Sequence, residues 1–165
     1  MDSLTDATER QGTGDELPKG MERRLVLRLL SYWRSLSEDG VLPSFAAIDP
    51  SAMKDMWESC FVLDIVGHEA DPVFRTVGAA FAEHSPIDLV DRRVSEARAN
   101  TLVYASVSYI HEVICKGVPI SRGGEFYKAD GVKVLYRSIV LPMSDDGETI
   151  SGLLCAANCR EAIEG

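Results

Sequence analysis

The stretch VLYRSIVLPMSDDGETISGLLCAAN, residues 134–158, decides the fold. Its first arm has the period of a strand. Leu135, Ile139 and Leu141 fall on one side with Arg137, and Val134, Tyr136 and Val140 fall on the other with Ser138. A hairpin lying on the surface of a core shows one apolar face and one polar face. Here both faces are mostly apolar, so the strand needs a covering layer on each side. The SDDG run at residues 144–147 supplies the reversal into the second arm.

Reading outward, strands are predicted over residues 118–128, 132–143 and 149–157, with KADG joining the first two. A long helix is predicted over residues 98–115. Val103, Val107, Ile110 and Ile114 share one of its faces, and Gly117 stops it. Further upstream, residues 60–66 and 72–78 read as an antiparallel hairpin around GHEADP, with Phe61, Leu63 and Ile65 on one side. Short helical pieces over residues 79–84 and 88–90 follow, interrupted by Pro86. Asp49 is placed to N-cap a helix running to about Trp57, with Pro50 at its first position and Ile48 and Met53 as a hydrophobic staple. Residues 22–37 form a helix with a doubled apolar stripe. One seam is Leu25, Leu29, Tyr32 and Leu36, and the other is Val26, Leu30 and Trp33. The stripe is too wide for a single light contact. Residues 1–20 are polar, lack aromatics and read as a disordered tail. The expected organisation is therefore a tail (1–20), a helical cap (21–58) and a sheet-bearing domain (59–160). Strands grouped apart from helices indicate an α+β fold with an antiparallel sheet.

Composition sets the remaining bounds. A chain of 165 residues suits one domain plus a tail. Lys+Arg 17 against Asp+Glu 26 gives a net charge of -9, which argues against nucleic acid and anionic membrane as main partners. No run approaches the roughly 18 apolar residues of a membrane span. The acidic, polar start is not a secretory signal, so a cytoplasmic location is expected. Cys60, Cys115, Cys155 and Cys159 contain no C-x-x-C pair and read as reduced, buried thiols. His68, His84 and His111 are too dispersed for a metal site.

No catalytic signature is present: G-x-S-x-G, G-x-x-x-x-G-K-[ST], H-E-x-x-H and G-x-G-x-x-G are all missing. Arg122-Gly123-Gly124 reads as a bulge or bend in a strand. Arg137 and Arg75 read as structural partners for carboxylates. Tyr104, Tyr127 and Tyr136 read as core-edge tyrosines, with a hydroxyl in a cavity as the alternative.

The phrases LLSYWRSL, LPSFAAIDP, FRTVGAAF and LYRSIVLPMSDDG, spread from Leu29 to Gly147, resemble a bacterial family in which a PAS domain makes up nearly the whole protein. AEHSPIDLV departs from the tighter, glycine-containing turn usual in that family. The resemblance implies a PAS-like five-stranded antiparallel sheet, with helices on one face and an N-terminal amphipathic helix over the other. It implies a pocket between the long helix and the inner face. Phe61, Leu63, Ile65, Val107 and Ile110 would line it, anchored by Tyr136 or Arg137 according to which parity faces inward. It also implies homodimerisation through Leu25, Leu29, Tyr32, Trp33 and Leu36, one seam on the sheet and the other on a second protomer. A PAS domain can hold heme through a histidine on the long helix, but His111 reads as a solvated helix residue, so neither heme nor metal is expected and no cofactor is assigned. The expected function is a cytoplasmic sensory or signalling module that binds a small ligand, a protein partner or both, without catalytic output. The rivals are a ligand-free adaptor of the same fold and a small acid–base enzyme on a cone-shaped α+β fold.

Overall fold

A computed structural model describes residues 21–37, 39–66, 71–82 and 85–162. The expected tail, His68 and His84 lie outside the described residues.

Five strands build one antiparallel sheet: β1 (Cys60–Asp64), β2 (Val73–Val77), β3 (Ile120–Tyr127), β4 (Lys133–Met143) and β5 (Gly152–Glu161). Their order across the sheet is β2-β1-β5-β4-β3. The hairpin of residues 134–158 thus lies at the centre, where strands are covered on both faces. Around the sheet run α1 (Met21–Leu36), α2 (Pro50–Met53), α3 (Ala79–Ala82), α4 (Leu102–Ser106) and α5 (Ile110–Lys116).

Two apolar clusters account for the two apolar faces. On the inner side, Phe61, Leu63, Val140, Leu153 and Cys155 pack with Val103, Val107, Ile110 and Val113 of the α4–α5 region. On the outer side, Val62, Ile139, Leu141, Met143 and Leu154 pack with Leu25, Val26, Leu29, Leu30 and Trp33 of α1. Even-numbered residues of β4 therefore face the α4–α5 layer, and odd-numbered ones face α1.

Most of both seams of α1 is buried inside the protomer. Leu29 is wholly buried, Leu25, Val26, Leu30 and Trp33 nearly so, each contributing roughly 1.5–3 kcal/mol by burial. The Trp33 indole N–H donates to the Pro142 carbonyl at 2.9 Å. The Tyr32 hydroxyl accepts from the backbone N–H of Asp49 at 2.8 Å. The expectation that one seam waits for a second protomer is thus corrected for Leu25, Leu29 and Trp33, which this sheet face covers with residues 42–57 beside it, whereas Tyr32 is half-buried and Leu36, also half-buried, joins neither cluster.

Other expectations also shift. The long helix breaks into α4 and α5 at Val107–Tyr109. There the Ser106 hydroxyl donates to the Leu102 carbonyl at 2.7 Å and the Ser108 hydroxyl to that of Ala105 at 2.9 Å, contacts that loosen and bend a helix. Gly117 ends α5 in the left-handed region, as expected. The Asp49-capped helix closes after Met53 and tightens into a 3-10 turn over Lys54–Ser59. Residues 88–90 are not helical. The chain there runs beside the edge of β2, where the Phe74 N–H donates to the Arg92 carbonyl and the Asp91 N–H to that of Phe74, both at 2.8 Å. Gly123 and Gly124 form no bulge; β3 keeps an unbroken register with β4. β1 stops at Asp64, short of Ile65, and β5 runs on to Glu161.

Candidate functional site

Phe61, Leu63, Val107 and Ile110, expected to line a pocket, belong to the inner apolar cluster. Phe61 and Leu63 are wholly buried, and Val107 and Ile110 are nearly so. The Phe61 ring meets Phe81 edge-on at 4.9 Å and Phe74 at 5.8 Å. Above them Tyr109, at the break between α4 and α5, shares a 2.7 Å hydrogen bond with the buried Ser138 hydroxyl of β4. Burial pushes the Tyr109 phenol well above its ordinary range, so it serves as a neutral hydrogen-bonding group. Arg122 lies over the Tyr109 ring at 5.1 Å and pairs with Glu112 of α5 at 2.8 Å. These contacts clamp the broken helix to the sheet.

The other named residues fall in different places. Ile65 is half-buried beyond the end of β1 and joins neither apolar cluster. Tyr136 faces inward beside Phe126, at a ring distance of 6.0 Å, and burial raises its phenol above the ordinary value. Arg137 has the opposite parity. It is buried on the α1 side of the sheet, its side chain lying over Gly123. The parity question is thereby answered for Tyr136 and against Arg137. Arg75 is exposed and pairs with Asp64 at 3.3 Å. His111 is exposed on α5, and no group of three or more metal-binding side chains occurs among the described residues. Cys60 and Cys155 are buried thiols, the former pushed up to about 12 by burial. Cys115 is exposed and Cys159 half-buried, which corrects the reading of uniformly buried thiols.

A cleft of about 860 Å³ opens instead at the far end of the sheet, lined by none of the seven expected pocket residues. One wall is the loop of residues 98–102 that leads into α4. The other is formed by the ends of β3 and β5, and Ser85 and Pro86 close one side. Leu102, Phe126, Val134 and Cys159 give it apolar surface, and Arg98, Lys128, Asp130 and Glu161 give it charge. The loop is fastened by local bonds. Asn100, with φ 69°, donates from its side-chain amide to the Tyr127 carbonyl at 2.6 Å. The Thr101 hydroxyl accepts from the Tyr104 N–H and caps α4. Lys128 reaches Glu161 at 2.5 Å, and Asp130 accepts from the Val132 N–H at 3.0 Å in the KADG turn. Nothing in these residues announces a site by motif. The available signal was the length of β5, whose predicted end at residue 157 left Cys159, Arg160 and Glu161 outside the sheet.

Three comparisons bear on identity. No curated protein matches the chain. Among solved structures, the LOV domain of a blue-light activated histidine kinase from Erythrobacter litoralis EL346 is 17% identical, with 62% of this chain and 95% of that chain covered and a TM-score of 0.45. The light-state structure of the Aureochrome1 LOV photoreceptor is 15% identical, with 69% and 88% covered and a TM-score of 0.45. The PAS_5 family model, described as a PAS domain, matches residues 21–156. That span begins with α1, takes in both apolar layers and ends within β5, so it covers the sheet with its two covers, and the chain belongs to the PAS_5 family of PAS domains.

Proposed function

We propose that this PAS domain is a cytoplasmic signalling module that recognises its signal in the cleft at the end of the sheet and performs no chemistry there. The supporting observation is the cleft itself. Its volume lies within the range of small-molecule sites, and it combines apolar surface with a few polar groups. An occupant touches the loop of residues 98–102 and the end of β5 together, and so biases the packing of α4 on the sheet. It needs only a different affinity for two packings. Output passes by contact to a protein partner, and pairing of two copies belongs to the same reading. The outward side of α1, where Leu27 is 59% exposed, is the part of that helix open to a second copy.

The test uses protein purified from its native host. Ala99 is exposed at the cleft, so Ala99→Trp narrows it without entering the core. Small molecules extracted from the wild type, added back, are expected to raise its melting temperature and to leave the variant unmoved. An equal shift in both places recognition elsewhere. No extractable molecule and no shift in either favours the second reading, a ligand-free adaptor, for which the burial of Phe61, Leu63, Val107 and Ile110 in the inner cluster speaks.

A further inference from the structure

β5 outlasts one of its neighbours. β1 pairs with it only from Cys60↔Ala156 to Asp64↔Gly152, whereas β4 stays paired as far as Val134↔Glu161. Residues 157–161 therefore have a strand on one side and none on the other. In an antiparallel strand, the N–H and C=O of one residue point to the same side, and successive residues alternate. The Ala162 N–H donates to the Lys133 carbonyl on the β4 side. By that alternation Ala157, Cys159 and Glu161 turn their backbone groups away from β4, where β1 would have continued. Among the described residues no backbone hydrogen bond reaches them from there. Cys159 and Glu161 also line the cleft.

The charges around this edge are unequally matched. Glu161 is held by Lys128, and Asp130 is turned onto the Val132 N–H. The two arginines of the cleft, Arg98 and Arg160, pair with no carboxylate among the described residues. Arg160 makes a 3.5 Å contact to the Glu161 carbonyl, while its Nε is shielded from solvent and without a hydrogen-bond partner. In a chain of net charge -9, the cleft thus holds guanidinium groups that no carboxylate among the described residues neutralises.

Resting on the reading of this cleft as the recognition site, we propose that the edge of residues 159–161 is a strand-docking site for an extended acidic peptide of a partner protein. The peptide takes the place beside β5 that β1 vacates. Its alternating N–H and C=O groups satisfy those of Cys159 and Glu161, and its carboxylates meet Arg98. Alternating donors and acceptors on an open edge match peptide backbone, and side-chain charge supplies the selectivity.

The full chain is titrated, with fluorescence anisotropy as readout, against a labelled octapeptide alternating valine and glutamate. Parallel titrations use its valine–lysine counterpart and two N-methylated forms, one methylated at the valines and one at the glutamates. The valine–glutamate peptide is expected to bind at least tenfold tighter than the lysine peptide. One methylated form should lose binding and the other keep it, because only alternate residues face β5. Hydrogen exchange should slow at the Cys159 and Glu161 amides and stay unchanged along β3. Arg98→Glu should weaken binding at least tenfold with an unaltered melting temperature. The proposal falls if no peptide binds, if both methylated forms bind alike, if the lysine peptide binds as well, or if protection appears along β3. Small-molecule shifts that are sensitive to Ala99→Trp would then leave the cleft reading standing without the peptide.

Discussion

Gly123 and Gly124 show how much a residue's meaning depends on what lies across from it. In sequence they suggest a bulge. In the sheet they sit opposite Arg137 and Tyr136 in unbroken register. A Cβ on Gly124 would lie 3.3 Å from the Tyr136 ring, and one on Gly123 would lie 3.9 Å from the Arg137 guanidinium carbon. The missing side chain at Gly124 makes room for the Tyr136 ring, and the one at Gly123 for the Tyr136 backbone carbonyl, 3.3 Å from where a Cβ would stand. That pairing is long-range information, so it could not be read from residues 121–125 alone. Asp146 is the opposite case, a residue whose role is local. Its carboxylate accepts from the N–H groups of Glu148 and Thr149, each at 2.8 Å, and from the Ser144 hydroxyl at 2.9 Å. Those backbone bonds hold its pKa below the ordinary 3.8. A depressed carboxyl stabilises the fold fully above its unfolded value, and that contribution disappears as pH falls through the folded value. Asp146→Ala is therefore expected to melt below wild type across pH 5–7. The gap should close below about pH 4, where the unfolded carboxyl itself titrates. A gap that is constant down to pH 2 would show that the charge has no part in the turn.

At the scale of elements, legibility followed the range of the forces involved. Strand and helix periods placed α1 and all five strands, because burial of one face imposes a repeat that survives in the sequence. Ends and breaks were misplaced because they depend on single hydrogen bonds. The α4–α5 break rests on two serine hydroxyls, and the overrun of β5 rests on β4 being longer than β1. The cleft was missed because it depends on the loop of residues 98–102 meeting the ends of β3 and β5, a juxtaposition that no local pattern carries. The doubled seam of α1 was seen, but its use was not, since a stripe covered by one sheet plus a loop looks the same in sequence as one shared with a second chain. Leu29 separates the two uses. It is wholly buried against the outer sheet face, so Leu29→Ala is expected to cost about 2–5 kcal/mol in urea unfolding. Retained stability combined with a change of oligomeric state would instead return Leu29 to an intermolecular seam.

The whole molecule is a sheet with two different covers. The inner cover is clamped by the Tyr109–Ser138 bond and the Arg122–Glu112 pair. The outer one is a single helix lying on apolar side chains, pinned by Trp33 to Pro142 and by Arg28 to Asp55 at 3.0 Å. The exposed ion pair adds little, so the hydrophobic contact carries the attachment. Removing α1 bares Val62, Ile139, Leu141, Met143 and Leu154 on adjacent strands, a contiguous apolar patch of the kind that drives association. A chain beginning at Ser37 is therefore expected to bind a hydrophobic dye and to elute as aggregate. A synthetic helix of residues 21–37 added during refolding should restore a dispersed species with the wild-type melting profile, and the same peptide carrying Leu29→Glu should not. A truncated chain that stays dispersed and dye-free would mean that the outer face has another cover, and that α1 is not what completes the fold.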